Sequence, residues 1–142
     1  MNQSIELTDA PDPSDRDAIL QPLLAFNEVL LGPSGARPIA ALIRSEENGK
    51  VVGGLWGRTS FEWLFVELLF VPENLRGQSL GAKLLDMAEN EARNRKCRGA
   101  WLETLNTDAC RFYQRQGYRL FGVIEDKPPG NSHSFLSKRF SA

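Results

Sequence analysis

The order of apolar and polar residues along the chain predicts alternating strands and helices. Residues 63–71 are almost wholly apolar, which predicts a central strand buried on both faces. Residues 81–95 repeat apolar positions at helical spacing, which predicts an amphipathic helix with charged pairs on its solvent side. The apolar stripe consists of Leu84, Leu85, Ala88 and Ala92, and the charged pairs are Glu89–Arg93 and Glu91–Arg95.

The residues before this region predict a helical segment followed by a hairpin. Ile5–Leu7 fits a short first strand, and Ser14 fits a helix N-cap with Asp17 three residues later. Pro22 is expected to kink that helix or divide it in two. GPSG at residues 32–35 is typical of a loop.

Two strand patterns, Pro38–Ser45 and Val51–Thr59, flank Asn48-Gly49, which favours a tight hairpin turn. After the long helix come a strand in AWLET, a helix over residues 107–116 closed by Gly117, and strands in YRLFGVI and HSFLSKRF. The early part is then a β-meander after helices, and the later part is β-α-β-α-β-β. We therefore expect a mixed α/β sheet in a single domain over residues 1–142, distinct from a doubly wound Rossmann sheet.

Composition narrows the functional class. The 142 residues carry a net charge of −1, so nothing drives the whole chain toward nucleic acid or an anionic membrane. The first residues do not form a secretory signal, and no run approaches the roughly 20 apolar residues of a membrane helix. Two cysteines and one histidine make a metal site improbable. We expect a cytoplasmic enzyme or binding module with no metal.

The stretch LRGQSLGA, residues 75–82, connects the predicted apolar strand to the predicted long helix. A helix N-terminus exposes unpaired N–H groups that attract anions, and small residues let a phosphate reach them. Arg76 adds a cation suited to phosphate oxygens. The hydroxyl of a Walker loop and the third glycine of a dinucleotide fingerprint are missing. The motif alone therefore indicates either a different phosphate ligand or an ordinary glycine-rich turn.

Two segments in order resemble the GCN5-related N-acetyltransferase (GNAT) family, which transfers acetyl groups from acetyl-CoA. RGQSLG, Arg76–Gly81, is similar to the family's Arg/Gln-x-x-Gly-x-Gly/Ala pattern and follows Leu69-Phe70-Val71, similar to its strand ending. NTDACRFYQRQGY, residues 106–118, is similar to the family's second segment. The resemblance covers roughly residues 50–125 well and implies the GNAT fold, in which splayed strands form the CoA cleft.

The resemblance also implies roles for individual residues. The pyrophosphate of CoA is expected at the backbone amides around the helix start, and the pantetheine arm along the strand end and Asn106. The implied cofactor-binding residues are Leu69, Phe70, Val71, Arg76, Gly77, Gln78, Ser79, Gly81, Ala82, Asn106 and Tyr113. Ser79 departs from the glycine usual in the family, and we expect ordinary helical or bridging dihedrals there with the amide facing phosphate.

Acetyl transfer needs a neutral amine and a proton for the departing thiolate. Tyr113 is the candidate acid, since the tyrosine of this motif often lies beside the CoA sulfur in the family. The alternative is that it only packs the helix against the sheet or orients CoA. Glu67 is the candidate base, because it is the one ionisable residue within 63–71 and burial would raise its pKa. The alternative is a carboxylate at the sheet edge or paired with arginine.

Other residues are weaker candidates for a role in catalysis or acceptor binding. His133, the sole histidine, is expected at an exposed loop position, and Cys110 as a small buried side chain. Acidic residues in or near the segments expected around the acceptor suit a cationic amine. They are Glu28, Glu62, Glu67, Glu125 and Asp126.

The acceptor is expected to be a primary amine, with a small amine, an amino acid, an aminoglycoside-like drug and a protein N-terminus all open. A homodimer follows from family analogy alone. Two other functions stay open at this point. One is a non-catalytic acyl-CoA-binding module that senses or regulates, and the other is a nucleotide-binding domain.

Overall fold

The computed structural model describes residues 2–141, which divide into two compact units with the chain boundary between Ser34 and Gly35. Whether the whole chain acts as one domain stays a prediction. No helix within residues 2–141 is both long and apolar enough to cross a membrane.

The first unit contains a single helix, α1 (Pro13–Leu31). Asp12 is its N-cap and shares a reciprocal capping box with Asp15, so the helix begins before the predicted cap at Ser14. Pro13 occupies the first turn, where its missing N–H costs nothing. The helix continues through Pro22 without being divided. The predicted strand over Ile5–Leu7 is wrong, because these residues have no regular structure.

The second unit is a six-stranded sheet with two helices on one face, in agreement with the predicted mixed α/β class. Its strand order is β1-β2-β3-β4-β6-β5, and only β3 and β4 are parallel. The early meander is β1 to β3, and α2 and α3 connect β3 to β4 and β4 to β5. The elements are β1 (Arg37–Arg44), β2 (Val51–Ser60), β3 (Trp63–Phe70), α2 (Leu80–Asn94), β4 (Gly99–Thr104), α3 (Thr107–Arg115), β5 (Arg119–Glu125) and β6 (Ser132–Arg139).

One hydrophobic core lies between the sheet and α2. Leu84, Leu85, Ala88 and Ala92 are buried, which confirms the predicted stripe of α2. They pack against alternate residues of the strands and against two tyrosines, one within α3 and one just after it. The sheet and tyrosine part of the core consists of Ile39, Ala41, Leu55, Leu64, Val66, Ala100, Leu102, Leu136, Tyr113 and Tyr118.

Glu89 corrects one part of that prediction. It was expected on the solvent side of α2 beside Arg93, but only 1% of its surface is exposed. The Tyr118 hydroxyl donates to one of its carboxylate oxygens at 2.9 Å, and the Lys138 ammonium donates to the other at 2.8 Å. A buried carboxylate needs such partners, because burial without them is costly.

Strands β3 and β4 pair along only part of their length. The parallel ladder joins Trp63–Val66 to Gly99–Leu102 and then stops, although β3 continues to Phe70 and β4 to Thr104. The strands therefore splay beyond Val66 and Leu102. This confirms the expected cleft and corrects the prediction of a strand buried on both faces, because the second half of β3 includes exposed residues.

A β-bulge lies at the start of the splay. Trp56 of β2 pairs with Leu68, and the next residue, Gly57, pairs with Val66, so Glu67 has no partner across the ladder. A Cβ on Gly57 would lie 2.2 Å from the carbonyl oxygen of Phe65, so a glycine is needed opposite the bulge. Bulges of this kind bend a strand and redirect side chains.

Candidate functional site

Several unpaired backbone amides lie between the end of β3 and the first turn of α2. The N–H groups of residues 78–82 donate no hydrogen bond to any other described residue, and the first helical bond runs from Lys83 N–H to the Ser79 carbonyl. Gly77 and Ser79 both have positive φ, 84° and 59°. Clustered amides at a helix N-terminus, with left-handed residues among them, form a concave site for anions.

Ser79 adopts the left-handed conformation, with φ 59° and ψ 25°. The prediction of helical or bridging dihedrals was therefore wrong. The physical reason is that the chain must turn sharply into α2 at this residue, and the left-handed region provides that turn. The Ser79 side chain makes no capping hydrogen bond, so the turn depends on the backbone alone.

Arg76 closes the loop between β3 and α2. Its Nε donates a 3.0 Å hydrogen bond to the carbonyl oxygen of Val71, and its guanidinium lies 6.0 Å from the ring centroid of Phe70. Because that side chain is exposed, its other N–H groups remain available to an anion. Arg76 thus both fixes the loop and places a cation beside the free amides.

The edge of β3 beyond the bulge faces the splay. Leu69 and Phe70 pair with β2 on one side, whereas β4 provides them no partner on the other. Leu69 and Val71 pack against the core, and Phe70 is 56% exposed. The strand therefore presents free backbone groups at the cleft, in a form that an extended ligand can pair with.

The two sequence segments that carry the resemblance meet in space. Asn106 is the N-cap of α3, where its Oδ1 accepts a 3.0 Å hydrogen bond from the Ala109 amide. A Cβ on Gly81 would lie 3.3 Å from the ring of Phe112, so the first turn of α2 packs closely against α3. A larger residue at position 81 would push these helix ends apart.

Tyr113 lies on the buried side of α3, in the same core cluster as Val66 and Leu102, where the β3–β4 ladder ends. Its ring packs edge-on against those of Phe112 and Tyr118, with centroids 5.2 and 5.9 Å away. Burial raises the pKa of Tyr113 to about 12. The hydroxyl therefore keeps its proton across the neutral and moderately alkaline range and can serve as a hydrogen-bond donor.

Glu67 is exposed on the bulge, so the burial on which its predicted role as a base depended is absent. Of the other acidic residues expected near the acceptor, Glu62 pairs with Arg98 at 2.5 Å and Glu125 accepts from Ser132 at 3.2 Å. These two carboxylates are already engaged with protein partners.

His133 lies on β6 with 8% of its surface exposed, which corrects the prediction of an exposed loop position. Its Nδ1 is 2.6 Å from the Lys127 ammonium, and its Nε2 is 3.7 Å from a Glu103 oxygen. Sequence reasoning missed this arrangement. The alternation of Trp101 and Glu103 in AWLET was the available signal, because it places both side chains on one face of β4.

Cys110 is half-buried rather than buried, and it lines a cavity of about 340 Å³ beside α3. Arg111 and Gln114 line the same cavity from α3, and Glu125 from β5. Within residues 2–141, no group of three or more histidine, cysteine or acidic residues is arranged to hold a metal ion.

Comparison with known proteins finds the same family by a family model and by individual relatives. The family model described as "Acetyltransferase (GNAT) family" matches residues 6–118. An acetyltransferase of Agrobacterium fabrum is 46% identical over 134 residues, which is 94% of this chain and 97% of that protein. The blasticidin-S acetyltransferase of Streptomyces morookaense is 42% identical over 106 residues, 72% of this chain and 78% of that protein.

A solved structure agrees with these sequence matches. The crystal structure of an acetyltransferase from Bacillus cereus superposes with a TM-score of 0.84 at 29% identity, and the match covers 95% of this chain and 98% of that one.

Proposed function

This chain belongs to the GNAT family and is an acetyl-CoA-dependent N-acetyltransferase, and we propose that it acetylates a primary amine of a small acceptor by direct attack in a ternary complex. The observation that carries the proposal is the end of the β3–β4 ladder at Val66 and Leu102, beside the free amides of residues 78–82. The named activity of the Streptomyces relative on blasticidin-S supports a small acceptor.

The donor end of the site fits acetyl-CoA. The free amides of residues 78–82 would hold the pyrophosphate, with Gly77 shaping the loop and Arg76 adding positive charge. Leu69 and Val71 would pair their backbone with the pantetheine arm, and the Asn106 side-chain amide would contact it from the end of β4. Acetyl-CoA supplies the thioester, whose carbonyl carbon is the electrophile.

The reaction forms one bond and breaks one bond at that carbonyl carbon. The neutral amine nitrogen attacks, the C–N bond forms, and the C–S bond breaks as the tetrahedral intermediate collapses. The thiolate of CoA accepts a hydrogen bond from the Tyr113 hydroxyl and takes a proton from solvent that this hydroxyl relays, so that no tyrosinate is left behind. Burial of Tyr113 excludes competing water and keeps the hydroxyl protonated until that step.

The amine must lose a proton in the course of attack. We propose that Glu67 receives it, directly or through a water. The bulge supports this role, since it leaves the residue unpaired at the start of the splay. Its exposure lets the proton pass on to solvent. In this role the carboxylate acts as a relay at the surface of the cleft.

Thiol release from acetyl-CoA with a panel of small amines tests the proposal. We expect amine-dependent release and initial-velocity lines that intersect when both substrates are varied, as direct transfer requires. Parallel lines, together with an acetylated protein after rapid quenching, would refute direct attack. The Cys110→Ser variant should turn over normally, because direct attack needs no acyl-cysteine. Thermal stabilisation by acetyl-CoA without thiol release would instead favour an acyl-CoA-binding module.

A further inference from the structure

Three charged or titratable side chains form a line on the sheet face opposite α2: Glu103, His133 and Lys127, here called the Glu103–His133–Lys127 row. The His133 ring lies in the middle, with Nδ1 2.6 Å from the Lys127 ammonium and Nε2 3.7 Å from Glu103 Oε1. The imidazole is largely buried, with 10% of its side chain exposed, whereas 42% of the Glu103 side chain is exposed and Lys127 is exposed. The two outer charges therefore face solvent on either side of a fixed ring.

Lys127 determines which ring nitrogen of His133 accepts a hydrogen bond. An ammonium has only donors, so Nδ1 of His133 must accept from it. With Nδ1 as the acceptor, the N–H of the ring is at Nε2, directed toward Glu103. Stacking on Phe135, with centroids 4.6 Å apart and planes 7° apart, holds the ring in this orientation. The imidazole is thus a rigid spacer between a cation and an anion.

The row lies beside the acetyl-transfer cleft. Glu103 directly follows Leu102, the last residue of β4 that pairs with β3. It also pairs with Phe135 across the β4–β6 ladder, so the stacked His133 is on the same face. That face continues through Trp101, which stacks on Phe65 of β3 at 4.3 Å. The row therefore borders the splay on the sheet face that α2 leaves free.

The two outer charges of the row do not contact each other, because the His133 ring lies between them. Arg95 and Glu91 are in direct contact at 2.8 Å, and Arg95 also donates to the Pro38 carbonyl and the Thr59 hydroxyl. In the row, the 3.7 Å gap and the intervening ring leave Glu103 without a direct hydrogen bond, and no described carboxylate lies within 4.0 Å of the Lys127 ammonium. A pair of separated opposite charges is complementary to a ligand that carries both charges.

We propose that the Glu103–His133–Lys127 row selects an acceptor that carries an acidic group in addition to its amine. Glu103 attracts the acceptor, as its ammonium, to the mouth of the splay, and the amine attacks after it has lost that proton. Lys127 binds the carboxylate or phosphonate, and His133 sets the spacing between the two contacts. This inference rests on the proposed acetylation of a small amine, and it narrows the acceptor class to zwitterions.

The test compares amines that differ only by the acidic group: butylamine with 4-aminobutanoate, and propylamine with 3-aminopropylphosphonate. We expect kcat/KM for the acidic member of a pair to exceed that of the simple amine by about two- to fivefold, as a charge pair with an exposed lysine provides. Lys127→Gln should abolish that preference by raising KM for the acidic acceptor, with the simple amine unaffected. Lys50→Gln, an exposed lysine in the β1–β2 loop, is the matched control and should change neither.

Glu103→Gln adds a second readout, because both members of each pair carry the amine. It should lower kcat/KM for both by a similar factor, whereas Lys127→Gln should affect one only. Equal kcat/KM for both members in the wild type, or a preference that survives Lys127→Gln, would overturn the inference while leaving acetyl transfer intact. Absence of thiol release with every amine would instead refute the proposed function, and this inference with it.

Discussion

The Tyr118 hydroxyl donates a 2.9 Å hydrogen bond to the carboxylate of Glu89, and both groups are buried. Lys138 of β6 binds the same carboxylate at 2.8 Å, so α2 is tied both to the start of β5 and to β6. Replacing Tyr118 by Phe would leave a buried carboxylate oxygen without its donor. We expect the free energy of unfolding in urea to fall by about 1–3 kcal/mol.

Glu91→Gln is the control for this first prediction. It removes a carboxylate of the same helix whose 2.8 Å partner Arg95 reaches it in a more exposed setting. Its effect on unfolding should be much smaller than that of Tyr118→Phe. If the free energy of unfolding falls equally in the two variants, the burial of Glu89 does not determine how much the Tyr118 hydrogen bond stabilises the protein.

The two tyrosines of the chain should titrate abnormally. Burial raises the pKa of Tyr113 to about 12, and burial together with the Glu89 carboxylate raises the pKa of Tyr118 as well. Tyrosinate absorbance should therefore be absent from the native protein at about pH 10, where half of the tyrosine in the denatured protein is ionised. A native protein that shows half of its tyrosinate signal at that pH would contradict the burial of both hydroxyls.

The same shift makes stability depend on pH. Between about pH 10 and the raised pKa, the unfolded chain has released protons that the native chain keeps, so the free energy of unfolding falls as pH rises. Below pH 10 this contribution is fully present. Tyr113→Phe should flatten the alkaline decline in denaturant unfolding, and a decline of unchanged steepness would exclude Tyr113 as its source.

The backbone of Ser79 is in the left-handed region, which costs a serine more free energy than a glycine. With φ at 59° and no side-chain hydrogen bond, Ser79→Gly should raise the free energy of unfolding by about 0.5–1 kcal/mol. Gln78→Gly is the matched control, because Gln78 does not have a positive φ and glycine there only adds freedom to the unfolded chain. A loss of stability in Ser79→Gly would contradict the strain.

Ser79 also tests how the donor is held. If its amide and not its hydroxyl contacts the pyrophosphate, Ser79→Ala should leave KM for acetyl-CoA unchanged. A several-fold rise in that KM would assign a binding role to the hydroxyl.

Gly57 is needed opposite the bulge at Glu67. In Gly57→Ala, the new methyl group would lie 2.2 Å from the Phe65 carbonyl oxygen, so β2 and β3 would have to separate. We expect a loss of about 2 kcal/mol or more in urea unfolding. Gly122→Ala in β5 is the control, because its nearest contacts would lie at an ordinary 3.9 Å.

Tyr113 and Glu67 are tested by conservative replacement. Tyr113→Phe keeps the ring packing and removes the proton donor, so kcat should fall by about 100-fold or more with little change in KM for acetyl-CoA. Glu67→Gln keeps the side-chain volume and removes the proton acceptor, and kcat/KM for the amine should fall. Unchanged turnover in either variant would remove that residue from the mechanism.

Features of the fold that depend on neighbouring residues could be predicted from the sequence, and features that depend on residues far apart in the chain could not. The six strands of the sheet and α2 were predicted within one or two residues, because the spacing of their buried residues is a local property of the sequence. The predicted strand over Ile5–Leu7 was wrong. The partners of Glu89 lie 29 and 49 residues away, so no local pattern could show that it is buried. His133 was misplaced for a similar reason, since its burial depends on the β4–β6 and β5–β6 ladders.

The sequence indicated more of the candidate donor site than of the proposed acceptor row. The loop of Arg76 and Gly77 is one contiguous segment, and its resemblance to a family could be read directly. Ser79 was wrong in its dihedral angles, because no sequence pattern fixes the angle at which β3 enters α2. Glu103, His133 and Lys127 come from β4, β6 and the loop before β6, and only the folded sheet aligns them.

The short parallel ladder between β3 and β4 has a consequence for how the enzyme can change over generations. On the proposed binding mode, the donor is held mainly by main-chain groups, along the free edge of β3 and the amides of residues 78–82, which most side-chain substitutions leave in place. The acceptor is held by side chains such as Glu103 and Lys127, which a single nucleotide change can replace. The protein can therefore drift toward new amines while its use of acetyl-CoA is preserved.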